Sequence, residues 1–176
     1  MKKTVIIAAA CTLLAWPVFA ETVGEKTGIN STLGIAPTTP DFVHEAAISD
    51  MFEIASSKAG EAKLSGADKD FAERMIMDHT KTTTELTALA KQENVAVPDA
   101  MDSAHQKMLD KLNGLNGDAF KKEYFSDQVS GHEDAVSLFR RYAKGGEDAK
   151  LKDWASTTLP TLQHHLDMAK GLDKNS

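Results

Sequence analysis

Beyond residue 38, apolar side chains recur every three or four residues through four long runs, and none of the runs alternates with the two-residue period of a strand. This pattern constrains the fold most, because each run is left with one apolar face that a helix would turn to a shared core. In the first run Val43, Ala47, Met51 and Ile54 form the stripe, with Phe42 and Ala46 beside it. Thr39 is the expected N-cap, Pro40 the first helical residue and Asp41 a carboxylate at the positive helix end, with Gly66 just past the stop. The second run spans about Asp68 to Gln92 and reads Phe71, Met75, His79, Thr82, Leu86 and Leu89. A short helix is expected over about Met101 to Asn113. The third long run, Asp118 to about Lys144, carries Phe120, Tyr124, Val129, His132, Val136 and Phe139, and Gly145-Gly146 breaks it. The fourth, Asp148 to about Lys170, carries Leu151, Trp154, Thr158, Leu162, His165 and Ala169, with Pro160 expected to kink or break it. Short links between the first and second and between the third and fourth runs predict antiparallel neighbours. The expected fold is all-α: an antiparallel four-helix bundle over residues 39–173, with a short extra helix between the second and third long helices.

The segments before the bundle bear on where the chain works. Lys2 and Lys3, an apolar run from Thr4 to Phe19, and Val18-Phe19-Ala20 with small residues at −3 and −1 have the layout of a secretory signal peptide over residues 1–20. A periplasmic location follows as an expectation. A competing reading cleaves before Cys11 and anchors the chain by lipid on that thiol. The apolar stretch after Cys11 and the absence of a leucine at the start of such a site favour cleavage after Ala20. Residues 21–38, with Gly24, Gly28, Gly34 and Pro37, show neither period and are expected to form a flexible lead. The mature chain would contain no cysteine and no transmembrane segment, so no disulfide, thiolate nucleophile or cysteine ligand would be available. Its 26 acids against 18 bases give −8, which argues against nucleic acid and anionic membrane surfaces as partners.

Three of the six histidines stand where a stripe calls for leucine. His79 lies four after Met75, His132 four before Val136, and His165 three after Leu162. His44, His105 and His164 fall off the stripes and read as solvated or rim residues. A buried imidazole needs partners for both ring nitrogens. Taken singly, each is read as a core residue bonded to a hydroxyl or a backbone carbonyl, for which Thr82, Thr83, Tyr124 and Thr158 are candidates. Taken together, three imidazoles facing one core point to a shared ligand, and a transition-metal ion (Zn, Cu, Fe or Mn) is the economical one. Glu53 is expected at a height similar to His79 and is the candidate fourth ligand. Asp78, Glu133 and Asp167 point about 100° away from the neighbouring histidines and suit outer or surface roles. One geometric obstacle stands: ideal helices would separate His132 and His165 by roughly 7 Å in height. The methionines are spaced as core filler.

Several passages carry a family resemblance. They are Asp41-Phe42-Val43 with Ala46-Ala47 and Glu53-Ile54, Phe71-Ala72-Glu73-Arg74-Met75-Ile76-Met77-Asp78-His79-Thr80, Gln128 with His132, and Leu159-Pro160-Thr161-Leu162 with His165-Leu166. The chain resembles an exported bacterial ferritin-like family of unknown function, often labelled outer membrane protein. The resemblance implies a ferritin-like four-helix fold and brings no activity with it. The ferritin-like class often holds two metal ions through carboxylates and Glu-x-x-His pairs. Such a pair is absent here. The expectation is therefore a histidine-rich site serving metal binding or redox and stress protection. The alternative is a non-catalytic helical envelope stress or interaction protein that uses no metal.

Overall fold

The computed structural model describes residues 22–26 and 28–174. The expected signal peptide and the Cys11 alternative lie outside those residues. The described residues are helical and contain no strand. Two short helices come first, α1 (Val23–Lys26) and α2 (Ile29–Leu33). The long helices are α3 (Thr39–Lys63), α4 (Gly66–Gln92), α6 (Gly117–Gly145) and α7 (Ala149–Asp173), with the shorter α5 (Ser103–Asn113) between α4 and α6. Within the segment expected as a flexible lead, α1 and α2 are thus ordered helical turns. They are tied down by Thr22, whose N–H and hydroxyl both donate to Asp41, and by Glu25, which pairs with the buried Arg141.

Local chemistry sets the helix ends. Thr38, not Thr39, caps α3: its hydroxyl oxygen accepts from the Asp41 N–H, and Pro40 sits one residue inside the helix. Thr39 is free to bury its hydroxyl against that of Tyr142 at 2.8 Å. The link between α3 and α4 is only Leu64 and Ser65, and Gly66 opens α4 rather than trailing α3. Its φ of +58° is one that a side chain would resist, which is why glycine stands at this sharp reversal. Asp102 and Asp148 cap α5 and α7 through their carboxylates. The expected break at Pro160 does not occur: α7 runs through it without interruption. Pro160 is exposed and α7 lies against α6 along its length, so tertiary packing offsets the missing backbone donor.

Two helical hairpins, α3–α4 and α6–α7, pack on one another through α3 on α6 and α4 on α7. Between them lie two apolar clusters. One holds Phe42, Val43, Leu86, Phe139, Tyr142, Leu151, Trp154 and Leu162 with their neighbours. Phe42 stacks on Tyr142 with centroids 3.9 Å apart and meets Phe139 edge-on at 5.1 Å. The other holds Phe71, Met75, Leu112, Phe120, Tyr124 and Phe125. Along α4 and α6 the switch from one cluster to the other is made by buried polar residues, His79 and Thr82 on α4 and Gln128 and His132 on α6, and α3 and α7 add the buried Asp50, Glu53, Ser56, Ser57, Thr158 and His165. The core is therefore two apolar blocks with a polar layer between them.

Pro160 leaves the Ser156 carbonyl without its helical donor. Pro160→Ala should restore that bond and stabilise the chain by up to about 3 kcal/mol. This would appear as a higher urea midpoint with an unchanged m value. A lower midpoint would mean that packing against α6 depends on the ring.

Candidate metal centre

The polar layer brings three imidazoles together. His79, His132 and His165 are 2%, 1% and 1% exposed. Their rings form a near-equilateral triangle with centroids 5.5, 5.5 and 5.4 Å apart. One ring nitrogen from each lies within 4.8 Å of the others, so the three could hold a metal ion. The height obstacle on the α6–α7 hairpin is removed by side-chain direction. Cα–Cβ bonds tilt toward a helix's own N-terminus. The His132 ring therefore leans away from the α6–α7 link while the His165 ring leans toward it, and the two close the gap from opposite sides.

Each imidazole is held from outside by an acceptor. His79 donates from Nδ1 to Asp50 Oδ1 at 2.8 Å, His132 from Nδ1 to the Gln128 carbonyl at 2.9 Å, and His165 from Nε2 to Asp78 Oδ2 at 2.9 Å. A carboxylate and a carbonyl only accept, so these contacts fix the proton on the outer nitrogen and orient the ring. The inner nitrogens, His79 Nε2, His132 Nε2 and His165 Nδ1, are buried and have no hydrogen-bond partner. Each such atom costs roughly 1–3 kcal/mol, so three of them side by side need a common occupant or a heavy offset. Tetrahedral zinc, with Zn–N near 2.0–2.1 Å, would draw its nitrogens to about 3.3 Å apart, a modest contraction of this triangle.

Asp50 is central to this support. Besides His79 it accepts from the hydroxyls of Thr82 at 2.9 Å and Thr83 at 3.1 Å. Sequence reasoning passed over it, although it lies four after Ala46 and seven after Val43, squarely on the buried stripe. Thr82 and Thr83, expected as possible partners of an imidazole, bond instead to Asp50 and to the His79 carbonyl. Tyr124 turns its hydroxyl to Ser57. Asp78 takes the outer role expected for it, but toward His165 of α7 rather than toward its own neighbour. Glu133 and Asp167 are surface residues, bound to Lys170 and Gln163. His105 is bound to the capping Asp102, and His164 is exposed.

Glu53 stands beside the triangle rather than in it. Its Oε1 lies 3.7 Å from His132 Nδ1 and its Oε2 accepts from the Gln128 amide. It is pressed so closely on α6 that a Cβ at residue 131 would lie 2.9 Å from its Oε1, which accounts for Gly131. Burial pushes its carboxyl up to about 7, partly countered by the charge of His79 and the Gln128 bond. Burial also pulls His132 and His165 down to about 3, assisted in each case by the positive charge of His79. His79 moves the other way: burial opposes its protonation but is outweighed by the Asp50 hydrogen bond and by the charges of Asp50, Glu53 and Asp78.

A family described as "Domain of unknown function (DUF4142)" matches residues 24–172, and the chain belongs to that family. No curated protein and no solved structure matches the chain.

The Glu53 shift has a measurable sign. A carboxyl raised from 4.5 to about 7 in the folded state costs no stability below pH 4.5, and its cost is fully developed above 7. In chelator-treated protein, the stability of Glu53→Gln relative to wild type should therefore climb by roughly 3 kcal/mol between these limits and then level off. Urea unfolding at several pH values reads this directly. A difference that stays flat with pH would show Glu53 to titrate normally.

Proposed function

We propose that this chain is a ferritin-like four-helix bundle of the periplasm that binds one transition-metal ion through His79, His132 and His165. The observation that carries the reading is the set of three inward-facing ring nitrogens, each buried, unpartnered and aimed from a ring that is fixed on its far side. Chance burial of histidine in a core gives rings satisfied on both nitrogens; a metal site gives rings satisfied only on the outer one. Glu53, expected as the fourth ligand, is proposed instead as the adjacent carboxylate that offsets the ion's charge.

The donor set narrows the metal. Neutral imidazole suits zinc, copper and iron, whereas manganese prefers oxygen. Among the described residues there is no thiolate, the donor that most favours copper(I). Three protein nitrogens leave a coordination position for water or a small molecule, the arrangement of catalytic rather than structural zinc sites. Redox or stress protection is the role such a position would allow. The −8 charge of the proposed mature chain favours attraction of cations.

Untagged protein isolated from the periplasm should carry close to one metal ion per chain by elemental analysis. After chelation, adding Zn²⁺ at about 100 times its Kd should stabilise the fold by roughly 2.7 kcal/mol. His79→Leu should abolish that gain; because it also takes the donor from the buried Asp50 carboxylate, the metal-free variant should be less stable than wild type. Metal below stoichiometry that does not rise on adding zinc, copper, manganese or iron would leave a non-catalytic helical protein whose histidines only specify its core.

Asp50→Asn offers a separate check on the outer contacts. It keeps an acceptor for His79 but removes the charge, and should weaken zinc binding on the order of 10–100-fold while retaining one ion per chain. Unchanged affinity, measured by competition with a chelator, would limit Asp50 to a structural role.

A further inference from the structure

A groove opens between α4 and α7 beside the polar layer, enclosing about 420 Å³. Its lining includes Asp78, Thr82, Glu85, Trp154, Thr158 and Thr161. Two of these reach through the wall: Asp78 holds His165 Nε2, and Thr82 donates to Asp50, which holds His79. The far nitrogen of that same His165 is one of the three buried, unpartnered atoms. A second cavity, of about 290 Å³, lies across the molecule where α3, α5 and α6 meet. None of its lining residues bonds an imidazole of the cluster. The chemistry of the α4–α7 groove is hydroxyl and carboxylate. The Trp154 indole N–H is already given to Glu85 at 3.0 Å, and Lys81, at the exposed edge, is engaged with the same carboxylate at 2.9 Å. Oxygen donors of this kind can replace the water shell of a dication in steps, and Asp78, with Arg74 no closer than 4.0 Å, is the less tightly paired of the two carboxylates.

We infer that the α4–α7 groove is the passage by which a hydrated divalent transition-metal ion reaches the three imidazoles, with Asp78 as its last oxygen contact before His165. The inference rests on the metal reading above. It assigns the groove a kinetic role: residues at its mouth set how fast the ion arrives and leaves, and not how tightly it is held.

The test is rapid mixing of chelator-treated protein with Co²⁺, following the visible absorption that imidazole coordination produces. Thr161 is exposed at the groove and has no bond to the polar layer, so Thr161→Phe plugs the mouth without touching a ligand. It should slow association and dissociation together by at least about tenfold and leave their ratio, the Kd, unchanged. Glu85→Gln should slow association at low salt and flatten its dependence on ionic strength. Ser31→Phe, beside the other cavity, should bind at the wild-type rate. Thr157→Phe repeats the plug should Thr161→Phe fail to fold. Wild-type rates in a folded plug variant, or slowing by Ser31→Phe instead, would overturn the groove while leaving the site intact. No cobalt absorption in the wild-type protein would overturn the metal reading and the passage with it.

Discussion

The structure turns on the desolvation of three imidazoles. An imidazole moved from water into a core loses hydration at both nitrogens, and the fold replaces only one bond per ring. The arrangement around the rings follows from that shortage. Asp50 is drawn into the interior and must itself be satisfied, so Thr82 and Thr83 stand beside it one helical turn beyond His79. Glu53 is buried beside the rings, and Gln128 donates both to its carboxylate and to the Ser56 hydroxyl. Gly131 gives up a side chain to make room. The apolar core is divided by this layer on α4 and α6, while on α7 Leu162 and Leu166 still pack beside His165.

A layer of this kind sets register as well as chemistry. Apolar side chains tolerate sliding by a residue or rotation by tens of degrees at small cost, whereas a carboxylate 2.8 Å from a ring nitrogen does not. Asp50 to His79 fixes α3 against α4, and Asp78 to His165 fixes α4 against α7. The seam between α4 and α7 is loose enough to leave a groove, so this second contact is the more important for holding those helices at one height. Use of polar contacts to fix register at some cost in stability is well attested in helical assemblies.

Much of the helical layout was legible in the sequence, because a 3.6-residue period survives local noise. The long helices end within two or three residues of where breakers and caps place them, with the cap at Thr38 in place of Thr39 as a typical slip. The three histidines were legible for the same reason: each interrupts a stripe. Their partners were harder to find. Asp50 lay on the stripe and could have been read there, since a carboxylate between Ala46 and Ile54 on a buried face is as anomalous as a histidine. Asp78 could be assigned an outer role from its 100° offset, but which helix it would face depends on how α7 rotates, and no spacing within α4 encodes that. The His132 partner is a backbone carbonyl one turn back on its own helix, which leaves no trace in residue identity. Of the kink or break expected at Pro160 the break does not occur, because helix propensity is a local quantity and the packing of α7 on α6 overrides it.

The triangle draws one corner from the first hairpin and two from the second. The α3–α4 and α6–α7 hairpins are each joined by only two or three residues, so each can form from neighbours in the chain before the other exists. His79, however, meets His132 and His165 only once the hairpins have docked, and a chain threaded through a membrane unfolded would have no triangle to hold an ion. On the proposed metal reading connectivity would set the order of events, docking first and loading second, and on the proposed export the ion bound would be the one supplied by the compartment in which the chain folds rather than by the place where it was made.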